Sequence, residues 1–481
     1  MLLRLARLMG MKDLEGRDPD EVRMLFFLLV MYIFLSADFF LMNPSQKPIM
    51  DEFGVDEAAV GLVSTIFVFV GALIALPWGY LADKGARKGL VVLTVIIGEI
   101  PCLLTGYVKS YNELLLVRSL TGIGIGGIMP LLYSIMGDLV SERERSTASA
   151  WLGLAEGIGL GGGMVLAGFL AESHVKLLGA TGWRLPFVLV ALPNFLVAPL
   201  FWFFSKEPMR GGGEDSIKAA IEKGKEYTRK IKLSDYWDIL KRKTNIYFFL
   251  QSVPGTVGWG VLPAWMITFY HVTKEVSIAT ATMINTIVGV GMIAGGFVGG
   301  IWGNSLHKKN KSYLPMFCGI TTLAGVLFFY ILFHYPIPTA PSMSDFIGPL
   351  IVGVIGGAFI TMTGSNVRAL VMNVNPPENR GAMMSLFSLT DSIGKGIGPY
   401  LGGFLIKFIG GAMLLPTLLG GGYDARKLEV TSYVITMDIA TFCWIPCAMV
   451  FLFLMTPQYP KDAEALEKLM QQRAKEMEGE K

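Results

Sequence analysis

The chain has 481 residues, of which 52% are hydrophobic and only 16% are charged, and its formal net charge is +3. Soluble domains carry about 25% charged residues, so the composition excludes an ordinary soluble protein and indicates a membrane protein with many spans. The mean hydropathy of +0.52 and the 57 glycines agree with this interpretation, since helices in lipid approach each other closely at small residues. The small net charge, with no basic arm interleaved with aromatic residues, excludes nucleic-acid binding.

The residue types that usually carry chemistry predict no redox, metal or nucleotide site. All four cysteines lie in apolar runs, and Cys443 and Cys447 have neither a CxxC nor a zinc spacing. The four histidines are scattered in or beside loops. No GxxxxGK[ST] phosphate loop occurs, so ATP-driven transport is not expected. We predict no cofactor.

Twelve runs of about 20 mostly apolar residues predict twelve transmembrane helices. Strands are excluded because lipid tolerates only helices and closed barrels, and the alternating pattern of a barrel strand is absent. Ahead of the first run, residues 1–12 predict an interfacial helix. The predicted spans are residues 24–42, 58–81, 89–108, 113–137, 147–171, 184–204, 245–270, 278–302, 312–333, 346–372, 381–408 and 431–455.

The segments between the spans set the orientation. Of the 41 Lys and Arg residues, thirty lie on the side that holds both termini and the long middle segment, and seven on the other side. Cytoplasmic loops carry the excess of Lys and Arg. We therefore predict an integral multi-pass protein of the cytoplasmic (inner) membrane, with both termini cytoplasmic.

The long middle segment predicts the domain organisation. It is charged and begins with three glycines at 211–213. We predict an N-terminal six-helix bundle over 1–204, a cytoplasmic linker with an amphipathic helix over 205–244, a C-terminal six-helix bundle over 245–455, and a cytoplasmic tail over 456–481.

The two predicted bundles resemble each other in sequence. Residues 145–170 align without a gap on 380–405, and the alignment superposes Glu156 on Asp391. A fixed offset of this kind indicates duplication. Two copies in the same orientation predict a pseudo-two-fold axis along the membrane normal and a substrate site near mid-membrane between the halves. The superposed glycines are Gly159, Gly161 and Gly163 on Gly394, Gly396 and Gly398, and, at a shorter offset, Gly71 and Gly79 on Gly291 and Gly299.

Three motifs resemble those of the major facilitator superfamily. Residues 79–88, between spans two and three, are similar to its signature loop of Gly, Asp and basic residues. Arg118-x-x-x-Gly122-x-x-x-Gly126 on span four resembles a second motif, and the glycine-rich span five a third. The resemblance covers nearly the whole chain. It implies an all-α membrane protein of twelve helices in two pseudo-symmetric six-helix bundles.

Within that superfamily the first half is most similar to Spinster-type transporters. The similarity lies in residues 61–67 leading into 79–83, in Trp183-Arg184 and in Lys206-Glu207-Pro208. The resemblance implies export of lipid-like or other amphiphilic molecules with proton coupling. The chain departs from the pattern on span four, where Ile125 replaces an acid.

Charged residues within the predicted spans are the candidate functional groups, because burying a charge in lipid costs about 2.5–3.5 kcal/mol on insertion scales. Asp38 late in span one and Arg118 early in span four both fall in the outer half, and we expect them to pair. The pair is either a protonation switch or anion site, or a structural brace.

A second candidate group combines Glu156, Asp391 and Lys395. Asp391 and Lys395 are four residues apart and share a helix face, about 15–21 Å into span eleven at 1.5 Å per residue. Glu156 is expected at a similar depth. We predict that Glu156 carries a proton and that Lys395 contacts an anionic headgroup. The alternative is a structural Asp391–Lys395 pair.

Three further intramembrane charges are weaker candidates for binding or coupling. Arg368 lies near the cytoplasmic end of span ten and is alternatively a snorkelling side chain, and Glu99 and Asp438 have no obvious partner in the sequence. At the cytoplasmic helix ends, charges are expected to gate access by pairing with helix termini; the alternative is that they only set topology. These candidate gating residues are Asp83, Arg87, Arg145 and Arg380.

The predicted function is secondary active transport of a small organic or amphiphilic molecule, including a lipid-like one, by proton-coupled alternating access. The alternatives are a transport-inactive membrane receptor or sensor on the same fold, and an uncoupled facilitator. A membrane-embedded enzyme is a more distant alternative, and we expect no enzymatic activity. The expected partners are the substrate, the proton and membrane lipid, with the protein acting as a monomer.

Overall fold

The fold is almost entirely helical in the part of the chain that the computed structural model describes. Beyond the helices, that part contains one short hairpin, in which Lys176–Leu177 pairs antiparallel with Ala180–Thr181. The predicted interfacial helix at 1–12 and most of the predicted linker lie outside the described residues. The structure describes residues 11, 14, 17–84, 86–140, 145–208, 240–338, 341–375, 377–410 and 424–479.

The chain divides into two compact units, residues 1–228 and 229–481. The long helices of the first unit are α1 Pro19–Phe53, α2 Glu57–Lys84, α3 Arg87–Thr105, α4 Tyr111–Leu139, α5 Arg145–Leu170 and α6 Leu185–Phe204. Those of the second unit are α7 Lys243–Lys274, α8 Ile278–Lys309, α9 Tyr313–Phe333, α10 Ile347–Val374, α11 Pro377–Gly410 and α12 Ala425–Phe442, followed by α13 Trp444–Met449, a π-helical turn Val450–Met455 and α14 Thr456–Gly479.

Ten helices of the described part are long and apolar enough to cross a membrane. The two long helices outside this set are α7 and α11. Both contain many Gly, Ser and Thr residues, and α11 also carries Asp391 and Lys395. Large apolar side chains such as Leu73 and Phe297 are more than 70% exposed, as expected of helices that face lipid. The protein is an all-α membrane protein with the predicted order of twelve helices.

The two units repeat the same helix pairing. In the first, α1 packs on α5 and α4 packs on both α2 and α3; in the second, α7 packs on α11 and α10 packs on both α8 and α9. Equivalent glycines make these contacts close. A Cβ atom on Gly163 of α5 would lie 2.4 Å from the Ala37 carbonyl oxygen of α1, and one on Gly398 of α11 would lie 2.3 Å from Gly260 Cα of α7. Side chains at these positions would force the helices apart.

The observed ends of α1 correct the predicted span. The helix was expected to end at residue 42, but it continues to Phe53 through Pro44 and Pro48, and ends where Gly54 adopts φ 62° and donates to the Met50 carbonyl. Asp38 therefore lies in the middle of a 35-residue helix. Neighbouring helices in a membrane bundle satisfy the backbone groups that interior prolines leave free.

The last predicted span, 431–455, is interrupted. Helix α12 ends at Phe442, and the chain continues through α13 and the π-helical turn into α14. Pro446 supplies a reason for the break, because it has no backbone N–H to donate to the preceding turn. Helix α14 covers most of the predicted tail and is tied to the second unit, since Asp462 accepts hydrogen bonds from the Thr244 backbone and hydroxyl groups at 2.9 and 2.6 Å.

Candidate functional site

The first unit contains a buried ion pair between Asp38 of α1 and Arg118 of α4. Arg118 Nη1 donates to Asp38 Oδ1 at 2.7 Å and to Oδ2 at 2.9 Å. Both side chains are 1–2% exposed. A buried pair must recover the loss of hydration through its hydrogen bonds. The structure thus brings together the two residues that the sequence predicted to pair.

The walls around this pair are aromatic and apolar. The guanidinium of Arg118 lies over the rings of Phe67 and Phe187, with centroid distances of 4.5 and 5.3 Å. The thiol of Cys102 on α3 donates to Asp38 Oδ1 at 3.3 Å. Cation–π contacts are stronger when they are desolvated, so both rings stabilise the buried Arg118 cation. Its Nε is nevertheless buried without a hydrogen-bond partner among the described residues.

Glu99 lies on α3 and has a partner that the sequence did not reveal. It is 1% exposed, and its Oε1 accepts a hydrogen bond from Asn194 of α6. Asn194 also donates to the Met31 carbonyl at 3.3 Å. The structure thus supplies the partner for Glu99 that was not obvious in the sequence. A single asparagine within the apolar run of α6 was the signal that could have identified the partner.

Glu156 lies on α5, facing α1 within the first unit. Its carboxyl group is half-buried and lies within hydrogen-bonding reach of the Tyr32 hydroxyl, with Tyr133 also in the neighbourhood. The structure therefore places the Glu156 carboxyl group beside a phenol that can exchange a hydrogen bond with it.

Of the four predicted gating residues, Arg87 has a described side chain, and those of Asp83, Arg145 and Arg380 lie outside the described residues. Arg87 begins α3 and is 2% exposed. It forms ion pairs with Asp138 of α4 and with Glu207 after α6. The network joins three helices at one end of the first unit, and neither Asp138 nor Glu207 was singled out from the sequence as its partner.

Glu207 caps the first turn of α3. Its carboxylate accepts hydrogen bonds from Arg87 Nε at 2.8 Å and from the backbone N–H groups of Arg87 and Lys88, both at 3.2 Å. Burial raises the pKa of the Glu207 carboxyl, but these hydrogen bonds and the Arg87 charge outweigh it and hold the pKa below its ordinary value. The folded protein therefore stabilises the ionised carboxylate of Glu207 relative to its neutral form.

Glu207→Gln is expected to lower the free energy of unfolding at neutral pH by about 1–3 kcal/mol, the range for hydrogen bonds to a charged group. A lowered pKa stabilises the fold above the unfolded-state value and loses this effect as pH falls through the folded-state value. The difference in Tm between wild type and variant should therefore shrink below about pH 4.5, the ordinary value. The control is Glu467→Gln in the exposed Lys311–Glu467 pair, which should change Tm little; an equal effect of both substitutions would contradict the prediction.

A cavity of about 300 Å³ lies within the second unit, and all its lining residues belong to that unit. It is lined by α7, α9, α10, α11 and α13, and it collects polar side chains with a few aromatic ones. Two candidates from the sequence, Asp391 and Lys395, line it and form an ion pair of 2.6 Å. A third candidate, Arg368, lines the cavity as well.

Asp438 lies elsewhere, on α12. Its carboxylate is 3.5 Å from His334 Nε2, a neighbour that was not obvious in the sequence.

The described residues hold no group of three or more His, Cys, Asp or Glu side chains arranged for a metal ion. What they hold are ion pairs within helix bundles and a polar cavity.

A family model described as the Major Facilitator Superfamily matches residues 28–363. The chain belongs to the major facilitator superfamily. The resemblance seen in its three motifs is confirmed, and the chain is a transport protein of this family and not an enzyme, as predicted.

Individual relatives agree with the family. The gentisate transporter of Corynebacterium glutamicum is 23% identical over 377 residues, covering 78% of this chain and 79% of that protein. A sphingosine-1-phosphate transporter of Danio rerio is 22% identical over 372 residues, covering 74% and 70%. The crystal structure of a bacterial homologue of the human lysosomal transporter Spinster, inward-facing and unoccupied, superposes with a TM-score of 0.76 at 23% identity, covering 93% and 99%. Spinster-type proteins are thus among the relatives of this chain and share its fold.

Proposed function

We propose that this transporter is a secondary active carrier of a small organic anion, working by proton-coupled alternating access. The observation that carries the substrate class is the charge of the second-unit cavity. Its described lining residues include two cations, Arg368 and Lys395, against one anion, Asp391, which leaves an excess of one positive charge. A cleft whose lining carries excess positive charge favours an anion. Gentisate and sphingosine-1-phosphate, the compounds named for the two relatives, are both anions.

Proton coupling rests on the acids of the first unit. We propose Glu156 as the proton carrier and Asp38 as the next candidate. The contact of Glu156 with the Tyr32 hydroxyl supports this choice, whereas Asp391 is engaged by the ammonium of Lys395 and Asp38 by the guanidinium of Arg118. Protonation then biases the equilibrium between two access states.

The membrane placement remains part of the proposal. The distribution of Lys and Arg supports cytoplasmic termini in an inner membrane, and we propose that the protein acts as a monomer. The interfacial segment 1–12 and the linker are proposed to lie on the cytoplasmic side.

Flux into proteoliposomes tests the function. With a pH gradient, we expect accumulation of radiolabelled gentisate several-fold above that in protein-free liposomes. Because a weak acid crosses lipid in its neutral form, benzenesulfonate, which stays ionised, should be tested in parallel. A receptor would bind without flux, and an uncoupled facilitator would equilibrate either anion without responding to the gradient. Either result would contradict the proposal.

A further inference from the structure

Arg368 is the cation of the second-unit cavity that has no partner. Among the described residues, its guanidinium makes neither an ion pair nor a hydrogen bond. The other cation, Lys395, lies 2.6 Å from Asp391 one helical turn away. An incoming anion would have to compete with that carboxylate for Lys395, whereas the donors of Arg368 are available.

A second donor in the same cavity also lacks a partner. Gln251 of α7 is 5% exposed, and its Oε1 accepts a hydrogen bond from the Cys447 thiol at 3.2 Å. Its amide nitrogen has no hydrogen-bond partner among the described residues. Because Gln251 lines the cavity, a ligand with a suitably placed oxygen can accept a hydrogen bond from this N–H group.

The remaining walls favour a flat ring. Trp259, Phe387 and Trp444 line the cavity, and the rings of Trp259 and Trp444 are 6.0 Å apart. The volume of about 300 Å³ is at the lower end of the range for small-molecule pockets, about 300–1,000 Å³. A single aromatic ring suits this volume better than a long acyl chain.

We propose that Arg368, with the amide of Gln251, forms the anion subsite of this cavity, and that its ligand is the carboxylate of a single-ring aromatic acid. The guanidinium presents a planar pair of N–H donors that matches both oxygens of a carboxylate, and the ring lies against the aromatic wall. Lys395 stays with Asp391 as a neutral pair that borders the ring. This inference rests on the proposed transport of organic anions and names the class of anion and the residue that binds it.

Binding of gentisate to the purified full-length protein, measured by isothermal titration calorimetry, tests the subsite. The neutral probe is gentisamide, which replaces the carboxylate by an amide. Arg368→Gln should weaken gentisate binding by about ten- to a hundredfold, the effect of losing charged hydrogen bonds, and leave gentisamide binding unchanged. Arg368→Lys should recover part of the loss, since Lys supplies a point charge without the fork. Lys308→Gln, an exposed cation of α8 that does not line the cavity, should bind both probes as wild type does.

The outcomes separate this inference from the proposed function. If Arg368→Gln binds gentisate like wild type, or if Lys395→Gln causes the loss instead, the subsite is wrong while organic-anion transport stands. If wild type transports other organic anions but does not bind gentisate or benzoate, the aromatic class is wrong. If wild type transports no anion in proteoliposomes, the proposed function itself falls. Retained gentisamide binding shows that a variant is folded.

Discussion

Asp38→Asn is expected to lower the free energy of unfolding by about 3–5 kcal/mol, the cost of leaving one member of a buried ion pair without its partner. The substitution keeps the shape of the side chain but leaves the guanidinium of Arg118, which is 1% exposed, without its carboxylate. Cys102 would also lose the charged acceptor of its thiol. Thermal unfolding of the purified protein measures the effect.

The double variant Asp38→Asn/Arg118→Gln distinguishes the two roles of this pair. Replacing both charges removes the unpaired cation, and buried pairs replaced together are often neutral in stability. A structural brace predicts that the double variant regains both Tm and transport. A protonation switch or anion site predicts that it regains Tm but transports less than a tenth of the wild-type flux, and we expect this second result.

A surface pair provides the control for both measurements. Lys47 and Asp51 lie 2.7 Å apart near the end of α1, with Asp51 60% exposed. Exposed pairs contribute about 0–1 kcal/mol, so Asp51→Asn should leave Tm and flux nearly unchanged. If Asp38→Asn behaves like Asp51→Asn, the buried pair has neither role.

The functional reading of the pair has one observation in its favour. Arg118 Nε is buried without a partner among the described residues, so the carboxylate of Asp38 does not satisfy the whole guanidinium. A group that serves only as a brace would be expected to have all its donors satisfied. A spare buried donor suits a residue that exchanges partners between two states.

The Asp38–Arg118 pair could be predicted because its information is local. Each residue is a lone charge in an apolar run, and the direction of the spans places both near the same depth. The extension of α1 to Phe53 could not be predicted, since Pro44 and Pro48 normally end a helix and are tolerated here only through tertiary packing.

The partners of Arg87 could not be predicted by the same reasoning. Asp138 and Glu207 are distant in sequence from Arg87, and each is a common acidic residue near a helix end, unlike Asn194, which is a lone polar residue in an apolar helix. The cavity of the second unit is similar, because it is formed by five helices and Arg368 looks like a snorkelling side chain until α7 and α11 are placed around it. Periodicity identifies helices, but the side chains that meet across helices follow from packing.

The glycine contacts between helices could be predicted only in part. The alignment of 145–170 with 380–405 predicted that span five and span eleven are copies, and the structure gives α5 and α11 equivalent neighbours, α1 and α7. The sequence could not reveal which glycines make the contact. Gly163 and Gly398 do so, whereas a Cβ on Gly161 would meet open space.

Glu156→Gln is expected to abolish pH-driven accumulation of substrate while leaving exchange intact. Glutamine has nearly the shape of protonated glutamic acid, so the variant mimics one protonation state permanently. Exchange of labelled for unlabelled substrate needs no net proton movement and should stay within about twofold of wild type. Accumulation under a pH gradient should fall to the level measured without a gradient, because no proton can be released.

The test compares both activities in proteoliposomes containing equal amounts of protein. Glu156→Asp keeps a titratable carboxyl group near Tyr32 and should retain part of the response to pH. Glu172→Gln, which removes an exposed acid just beyond the end of α5, should behave as wild type. Full pH-driven uptake by Glu156→Gln would show that another acid carries the proton, and Asp38 would be the next residue to test. Loss of exchange together with accumulation would instead make Glu156 part of the substrate site, because a pure proton carrier is not needed for exchange.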